Sequence, residues 1–478
     1  MTRRQDLFKR FPPRFRTRRW LGRFAVGVIV LVLLTPAGVA AVTPPDRPNL
    51  EKGTIERPAN GTTVIAVQGF KLGNQSRAKK PARLVGVGPN GSVEWVRDGS
   101  DGGIAWFYDV DPLENGTLLI TGIRPRETIV EAWNPETGET LWTERFDIED
   151  THDVDLINGD QLLVANMRNY NGTTGRNNDR IFIYDRSENE TVWEWRFRNH
   201  GYNRSGGGDY TDDWTHVNDV DKIGEGEYLV SPRNFDQSIV VNRSTDNVTM
   251  QLGSDGDLDT LYEQHNPQYL RGEDGTPTML VADSENDRVV EYARTNGTWT
   301  RTWTLGSIES LDWPRDADRL PNGNTLVTDT LNHRVMEVTP DGEVVWEFYA
   351  PWGTYEAERM RLGDEPGGPT IREQNATGSY NISGSAGLTP GTGDQQTFAQ
   401  WVESMSAGTP FAGIGGWFAA RWSHITPWIR PVWMGSWAFA AATGAAVVLV
   451  GWTVTEVTLQ RRAIAAYLRR TVARVRGA

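Results

Sequence analysis

Three of the six histidines in this chain occupy matching places in a recurring pattern. Each copy opens with a polar pair one residue apart, followed by a Gly turn and a short apolar run. The pairs are Asp109-Val-Asp111, Asp153-Val-Asp155, Asp219-Val-Asp221, Asn266-Pro-Gln268 and Asp316-Ala-Asp318. The residues just before them are Tyr108, His152, Asn218, His265 and Arg315. His216 lies two before Asn218, on the same face of an extended strand. Arg233 and Asn234 end the second apolar run of that copy. Imidazoles gathered beside a guanidinium suit an anion that carries a transferable group. Arg grips sulfate or phosphate in a fixed fork. One neutral His can attack and become a covalent carrier, while others donate or take a proton. The same three His could instead hold a divalent ion that activates water, although no H-E-x-x-H motif is present. His333 reads as structural, His200 as part of a lid in a glycine-rich insertion, and His424 as interfacial.

The elements that position these residues are short strands. The pairs recur at steps of 44, 66, 47 and 50 residues, the long step containing the insertion 198–214. A closing hairpin places Trp95, Trp142, Trp193 and Trp346 four residues after a turn residue. Each unit therefore holds four strands of period two, which cannot bury both faces alone. Radial stacking buries them, so the expected class is all-β, a six-bladed β-propeller over 60–352. A pair of β-sandwiches would not repeat at this period. Units begin near 62, 105, 151, 213, 262 and 312. The first lacks an opening strand, which the segment 352–360 or the chain before 62 would have to supply. Residues 361–397 read as a turn-rich linker. Residues 398–430, rich in Trp and Phe, read as an interfacial stretch or a helix docked on the propeller underside.

Charge and hydropathy frame this domain. The first 23 residues carry nine bases and one acid, and the last 23 carry six Arg and one acid. With a net charge of −13 overall, the middle holds −13 − 8 − 5 = −26. Basic residues concentrated in tails argue against a nucleic-acid face. An acidic, Lys-poor middle suits high salt and hints at a halophile. The charge-free stretches 24–45 and 433–455 are long enough to cross a bilayer, giving one N-terminal and one C-terminal transmembrane helix. The basic tails 1–23 and 456–478 place both ends in the cytoplasm and the propeller outside the cell. A cleaved signal peptide is the alternative for the first stretch, since Val39-Ala40-Ala41 is small enough to cut. Twelve N-x-S/T sequons, Asn74 among them, lie between the two helices and fit an exported glycoprotein. Asn-Gly-Thr is also ordinary turn chemistry. Zero cysteine excludes disulfides and thiolate chemistry.

The segments Thr151-His152-Asp153, Asp213-Trp214-Thr215-His216-Val217-Asn218, Val230-Ser231-Pro232-Arg233-Asn234 and Gln264-His265-Asn266 resemble the arylsulfate sulfotransferase family. The resemblance spans the blades only, and its most specific part is Asp-Trp-x-His-x-Asn with Ser-x-Arg-Asn. It implies a six-bladed propeller that moves a sulfuryl group from a phenolic ester to another phenol, through a sulfated histidine and without a nucleotide donor. His265 would match the nucleophile, His216 and Arg233 the pair that polarises the ester, and His152 the remaining site histidine. Asn218, Tyr108, Arg315 and Asn234 are the expected substrate contacts. The family's N-terminal β-sandwich and cysteine pair are missing here, and two membrane helices are added. The loops Asp283-Ser-Glu-Asn286-Asp-Arg-Val and Asp329-Thr-Leu-Asn332-His-Arg-Val are also similar to NHL-type repeats. The expectation is thus an aryl sulfate donor, a hydroxyl acceptor and no cofactor. A non-catalytic propeller that binds a glycan, peptide or envelope partner is the alternative, and a metal-dependent hydrolase or lyase a further one.

Overall fold

The computed structural model describes residues 13–42, 50–70, 80–388, 396–431 and 433–476, with side chains for all but 13–19, 101 and 462–476. The sequon Asn74, the first twelve residues of the basic tail and part of the 361–397 segment lie outside them. Two compact units result.

The larger unit, Asn49–Trp428, is a propeller of six sheets. Blades 2 to 6 begin with innermost strands at Trp106–Pro112, Val154–Ile157, Val217–Gly224, His265–Arg271 and Pro314–Arg319. Each then runs outward as an antiparallel meander. Blade 1 is composite. Its three outer strands, Thr63–Val67, Arg83–Val87 and Val93–Asp98, come from the start of the domain, and its innermost strand, Thr354–Arg359, from the end. Of the two segments considered for closing the ring, the later one supplies the inner strand. The earlier one, Glu51–Ile55, pairs outside blade 6 on Val344–Tyr349. The propeller therefore extends beyond the expected 60–352 at both ends.

Every outer strand carries a β-bulge at one place. Two residues of that strand oppose one of its neighbour, just before Trp95, Trp142, Trp193, Met250, Trp303 and Trp346. The extra residue turns the next, larger side chain onto the adjoining blade. Trp303 and Trp346 are fully buried there, and their indole N–H groups donate to the carbonyls of Pro340 and Pro89. The NHL-like loops have a local physical basis. Asp283 accepts from Asn286 and Arg288, and Asp329 from Asn332 and Arg334, so one carboxylate closes each turn.

Residues 361–388 are not a linker. Ile371 is fully buried among Leu270, Leu280 and Leu311, and Gly378–Tyr380 adds a parallel strand to Trp303–Leu305. A few apolar anchors, Ile371 with Ala376, Tyr380 and Ile382, are scattered through a turn-rich stretch and hide this packing from composition. The segment after 397 forms helices Phe398–Ser406 and Ala412–Ile429, the first opened by a Thr397/Gln400 capping box.

The smaller unit contains helices Pro13–Val42 and Ser436–Arg476. Within them Trp20–Val42 and Ser436–Arg461 are long and apolar enough to cross a membrane. The first runs through Pro36. Arg23 binds Glu456 with two hydrogen bonds, 3.0 and 2.8 Å, so the Arg-rich flank of each helix lies at the same end of the pair.

Replacing Ala357 with Pro tests the ring closure. The substitution removes an N–H that pairs with the Asp316 carboxylate and disturbs the ladder to Ile65. A buried group left unpaired costs about 1–3 kcal/mol. The expected result is a Tm several degrees lower for the propeller; an unchanged Tm would show that this strand does not hold the ring.

Candidate active site

Innermost strands begin at one mouth of the central channel. In five of the six blades two consecutive inner-strand residues oppose one on the neighbouring strand at this place. That bulge turns both residues toward the axis. An upper ring and a lower ring result. The upper ring holds Tyr355, Tyr108, His152, Asn218, His265 and Arg315, one from each blade. The lower ring holds the first members of the polar pairs, with Glu356 from blade 1.

The upper ring is a contact network. Tyr108 lies 3.9 Å from His152 between ring centroids and 4.8 Å from Tyr355. His216 enters from the loop before blade 4, 4.9 Å from His152. Tyr355 bridges His152, at 5.4 Å, to His265, at 6.0 Å. The Arg315 guanidinium covers the rings of Trp313, at 4.1 Å, and Tyr355, at 4.7 Å, and donates to Gln68. Trp313 stands 5.9 Å from His265. All three histidines are buried.

Hydrogen bonds fix the tautomers of two imidazoles. Ser284 donates its single hydroxyl proton to the carbonyl of Pro314 at 2.7 Å, or to that of Ala282 at 3.3 Å. It can therefore only accept from His265 Nδ1, 2.8 Å away. His265 Nε2 is left as a lone pair, buried and without a protein partner. His216 donates Nδ1–H to the Asp213 carboxylate at 2.8 and 2.9 Å, and its Nε2 is likewise buried and unpartnered. His152 differs: Nδ1 meets the Tyr355 hydroxyl at 2.9 Å, and Nε2 faces Asp150 at 3.6 Å.

Burial dominates the electrostatics. It pushes His265 well below the usual imidazole range, and the Arg315 and Arg233 charges push the same way. Burial, then Arg233 and His152, does the same to His216. His152 is also lowered by burial, against the opposing pull of Asp150. At neutral pH all three are uncharged. Asp150 is itself buried, yet His152, His216 and Arg168 hold it well below the usual carboxylate range. Burial brings Arg315 down to about 10, still charged at neutral pH.

The expected residues His265, His216, His152, Tyr108 and Arg315 thus come together, and Arg233 acts on the imidazoles from the rim. Arg233 pairs with Glu263 at 3.2 Å. Asn218 is buried, donates to the carbonyl of Gln264 and keeps an unpartnered Oδ1. Asn234 is engaged at both ends, accepting from Arg233 Nε and donating to the carbonyl of Asp213, so it braces the Arg233 loop. Tyr355, Ser284, Asp150, Arg168 and Trp313 escaped the sequence reading. The first left a signal: Tyr355-Glu356-Ala-Glu358 repeats the form of Tyr108-Asp109-Val-Asp111. His333 is buried and accepts from the Gly353 N–H. His200 stacks on Trp195 at 4.2 Å and lines a separate cavity of about 430 Å³.

Two expectations need correction. His424 is not an interfacial residue, and its helix does not dock on the face opposite the site. From helix Ala412–Ile429, His424 reaches Asp287 at 3.3 Å, Glu285 at 3.5 Å and Asp312 at 3.6 Å, and stacks on Trp313. The helix therefore lies on the face that carries the histidines. Nearer its start the helix exposes Ile414 and Trp417, and Phe411 just before it is exposed too.

No family model matches the chain, and no curated protein does. Solved structures similar to it are propellers of low identity. A protein of unknown function from Bacteroides caccae is 12% identical, over 62% of this chain and 98% of its own, with a TM-score of 0.44. Virginiamycin B lyase from Staphylococcus aureus is 10% identical, over 51% and 70%, with a TM-score of 0.31. The WD40 propeller domain of Doa1 is 10% identical, over 64% and 96%, with a TM-score of 0.36. At this distance none carries an activity over to this chain.

The helix latch makes a pH prediction. Burial opposes charge on His424, but its hydrogen bonds to Asp287 and Glu285 and the Asp312 charge prevail and raise it to about 11. A pKa raised on folding contributes stability fully below the unfolded value of about 6.5. That contribution is lost as pH climbs through the folded value. The Tm gap between wild type and His424→Gln should therefore shrink as pH rises from ~6.5 toward 11. A gap that stays constant would contradict the latch.

Proposed function

We propose that the channel mouth transfers sulfuryl groups between aryl esters and hydroxyl acceptors through His265. The observation that carries this reading is the fixed tautomer: Ser284 holds His265 Nδ1–H, so the buried Nε2 keeps its lone pair, within the electrostatic reach of the Arg315 and Arg233 guanidiniums and the His216 and His152 imidazoles. A carrier histidine needs that state at working pH.

In the first half-reaction His265 Nε2 attacks sulfur, an N–S bond forms and the S–O bond to the aryl group breaks. The departing phenolate keeps the electron pair. Its parent phenol has a pKa near ~10, so the charges of Arg233 and Arg315 suffice to receive it and no proton is required. In the second half-reaction an acceptor hydroxyl attacks sulfur. His216 Nε2 takes its proton, and Asp213 steadies the resulting imidazolium. The N–S bond breaks, His265 regains its lone pair, and the proton leaves His216 for solvent. His152, with Asp150 and Tyr355 on its two nitrogens, positions the ring.

A single metal ion shared by the imidazoles fits less well. Among the described residues, no group of three potential ligands within 4.8 Å of one another contains two of these histidines. The shared end of the two apolar helices supports a membrane-anchored enzyme with both basic tails on one side. The sequons support the outside of the cell for the propeller, where neither donor nor acceptor need be nucleotide-linked.

The full chain in detergent, mixed with an aryl sulfate, should gain the mass of one sulfuryl group on His265. His265→Ala should lose the label and on the order of 10⁶-fold of the turnover. Arg233→Lys, which loses the fork, should cost about 10²-fold. Labelling that persists in His265→Ala would remove the proposal. The pH profile is a separate check. Because His265 and His216 work uncharged and burial lowers both, activity should hold as pH falls through ~6.5 and decline only well below it. A rate that halves near 6.5 would show ordinary, exposed imidazoles.

A further inference from the structure

Beneath the histidine mouth, the axis of the propeller is lined by thirteen residues, of which twelve are Asp or Glu and one is Asn266. Ten of the acids are the paired residues of five inner strands, and Asp364 and Glu365 add two more from the loop after blade 1's inner strand. The lining includes no Lys, Arg or His. The void between them is about 20 Å³, room for one water-sized particle.

Many of these carboxylates have a structural task, but it does not require their charge. Glu356 accepts from the Val110 N–H, Asp109 from Val154, Asp153 from Val220 and Asp316 from Ala357, each a residue of the next blade. Gln268 makes an equivalent bond to the Arg319 N–H with a neutral amide. A carboxamide thus serves as well, and ionised carboxylates this close in a dry interior repel one another. The stapling also leaves oxygens over. Asp219 has no N–H to meet, because the corresponding residue of blade 5 is Pro267. Asp219 Oδ2, Asp221 Oδ2, Asp318 Oδ2 and Glu358 Oε2 are buried without partners, on side chains over nine-tenths buried.

We infer that the channel binds one hard divalent cation of the Ca²⁺ class, with Asp316, Asp318 and Glu358 as its core ligands. Their ligand oxygens lie within 4.8 Å of one another, the span that bonds of about 2.4 Å allow around one Ca²⁺. The donors are all oxygen, which favours Ca²⁺ or Mg²⁺ over zinc or copper. Mg²⁺, at about 2.1 Å and with retained waters, fits a nearly dry shaft less well. The ion ties blade 6 to the composite blade 1, where the two ends of the domain meet. This site is separate from the histidines and does not depend on their chemistry.

The test uses the full-length protein, first in a calcium-free buffer after chelation, then with CaCl₂, MgCl₂ or NaCl at matched ionic strength. The expected result is about one Ca²⁺ per chain retained by elemental analysis after desalting. CaCl₂ should raise Tm by several degrees more than ionic strength alone, with MgCl₂ weaker. The double variant Asp318→Asn/Glu358→Gln, which copies the amide that Gln268 already supplies, should fold and lose the calcium. Wild type that retains no divalent ion, and whose Tm follows ionic strength only, would overturn the proposal. So would a folded variant that still binds stoichiometric calcium. Should the variant fail to fold, the wild-type metal content and its Ca²⁺-specific shift decide alone.

Discussion

The propeller depends on how its blades handle the bulge at the top of the innermost strand, present in five of the six. Two residues against one leave a backbone N–H without a ladder partner, and a buried N–H cannot stay unpaired without cost. The preceding blade's carboxylate takes that hydrogen in blades 1, 2 and 4, and Asp109 accepts from Val154 of blade 3 in the same way. The junction from blade 4 to blade 5 has Pro267 in that place and needs no acceptor. Gln268 serves the next junction two residues further along, at the Arg319 N–H. One device therefore does two things. It turns a pair of side chains inward in each bulged blade, and it fastens neighbouring blades at the axis, where apolar packing is thinnest.

The same device sets two layers of opposite character one residue apart. Upper-ring side chains are aromatic, imidazole or guanidinium, and lower-ring side chains are acidic. A carboxylate layer so near would by itself favour protonated histidine. Desolvation outweighs it: burial is the largest influence on His152, His216 and His265, and the Arg233 charge pushes all three the same way. Asp213 orients His216 through Nδ1, while Asp150 faces His152 Nε2 at 3.6 Å. A cation on the axis would quiet the lower layer without touching these partners.

How legible this was in the sequence follows from which signals are local. The Asp-x-Asp pairs and Gly turns recur in four blades and blade 5 carries a polar variant, so blade number and the inner strands and upper-ring residues of blades 2 to 6 could be read directly. Blade 1 could not be completed because its inner pair joins opposite ends of the domain, Thr354–Arg359 lying against Thr63–Val67. The aromatic-acid-x-acid signature at Tyr355 was present but lay past the last full unit. Ser284 and Trp313 sit in loops between strands, and no periodicity predicts that a loop hydroxyl will set a histidine tautomer. Helix Ala412–Ile429 misled for a different reason. Its exposed Ile414 and Trp417, with Phe411 just before it, suggest a membrane surface, while the docking is decided by His424 meeting acids more than a hundred positions earlier.

Blade 5 departs from the repeat in a way that joins the structural and chemical arguments. Of the six inner strands it alone lacks acids at the axis, with Asn266-Pro267-Gln268 where the others have Asp-x-Asp or Glu-x-Glu. It is also the strand that begins with His265. In the proposed transfer, a carboxylate in place of Asn266 would adjoin the ring that attacks an anionic ester. It would pull that imidazole toward its charged, non-nucleophilic form and repel the approaching sulfate. The amide keeps the polar rung and removes both effects. Pro267 in turn has no N–H to offer, which frees Asp219 from stapling and leaves its second oxygen to the channel. The irregular blade is thus the place where the needs of the proposed nucleophile and of the axis diverge, and the repeat there follows the former.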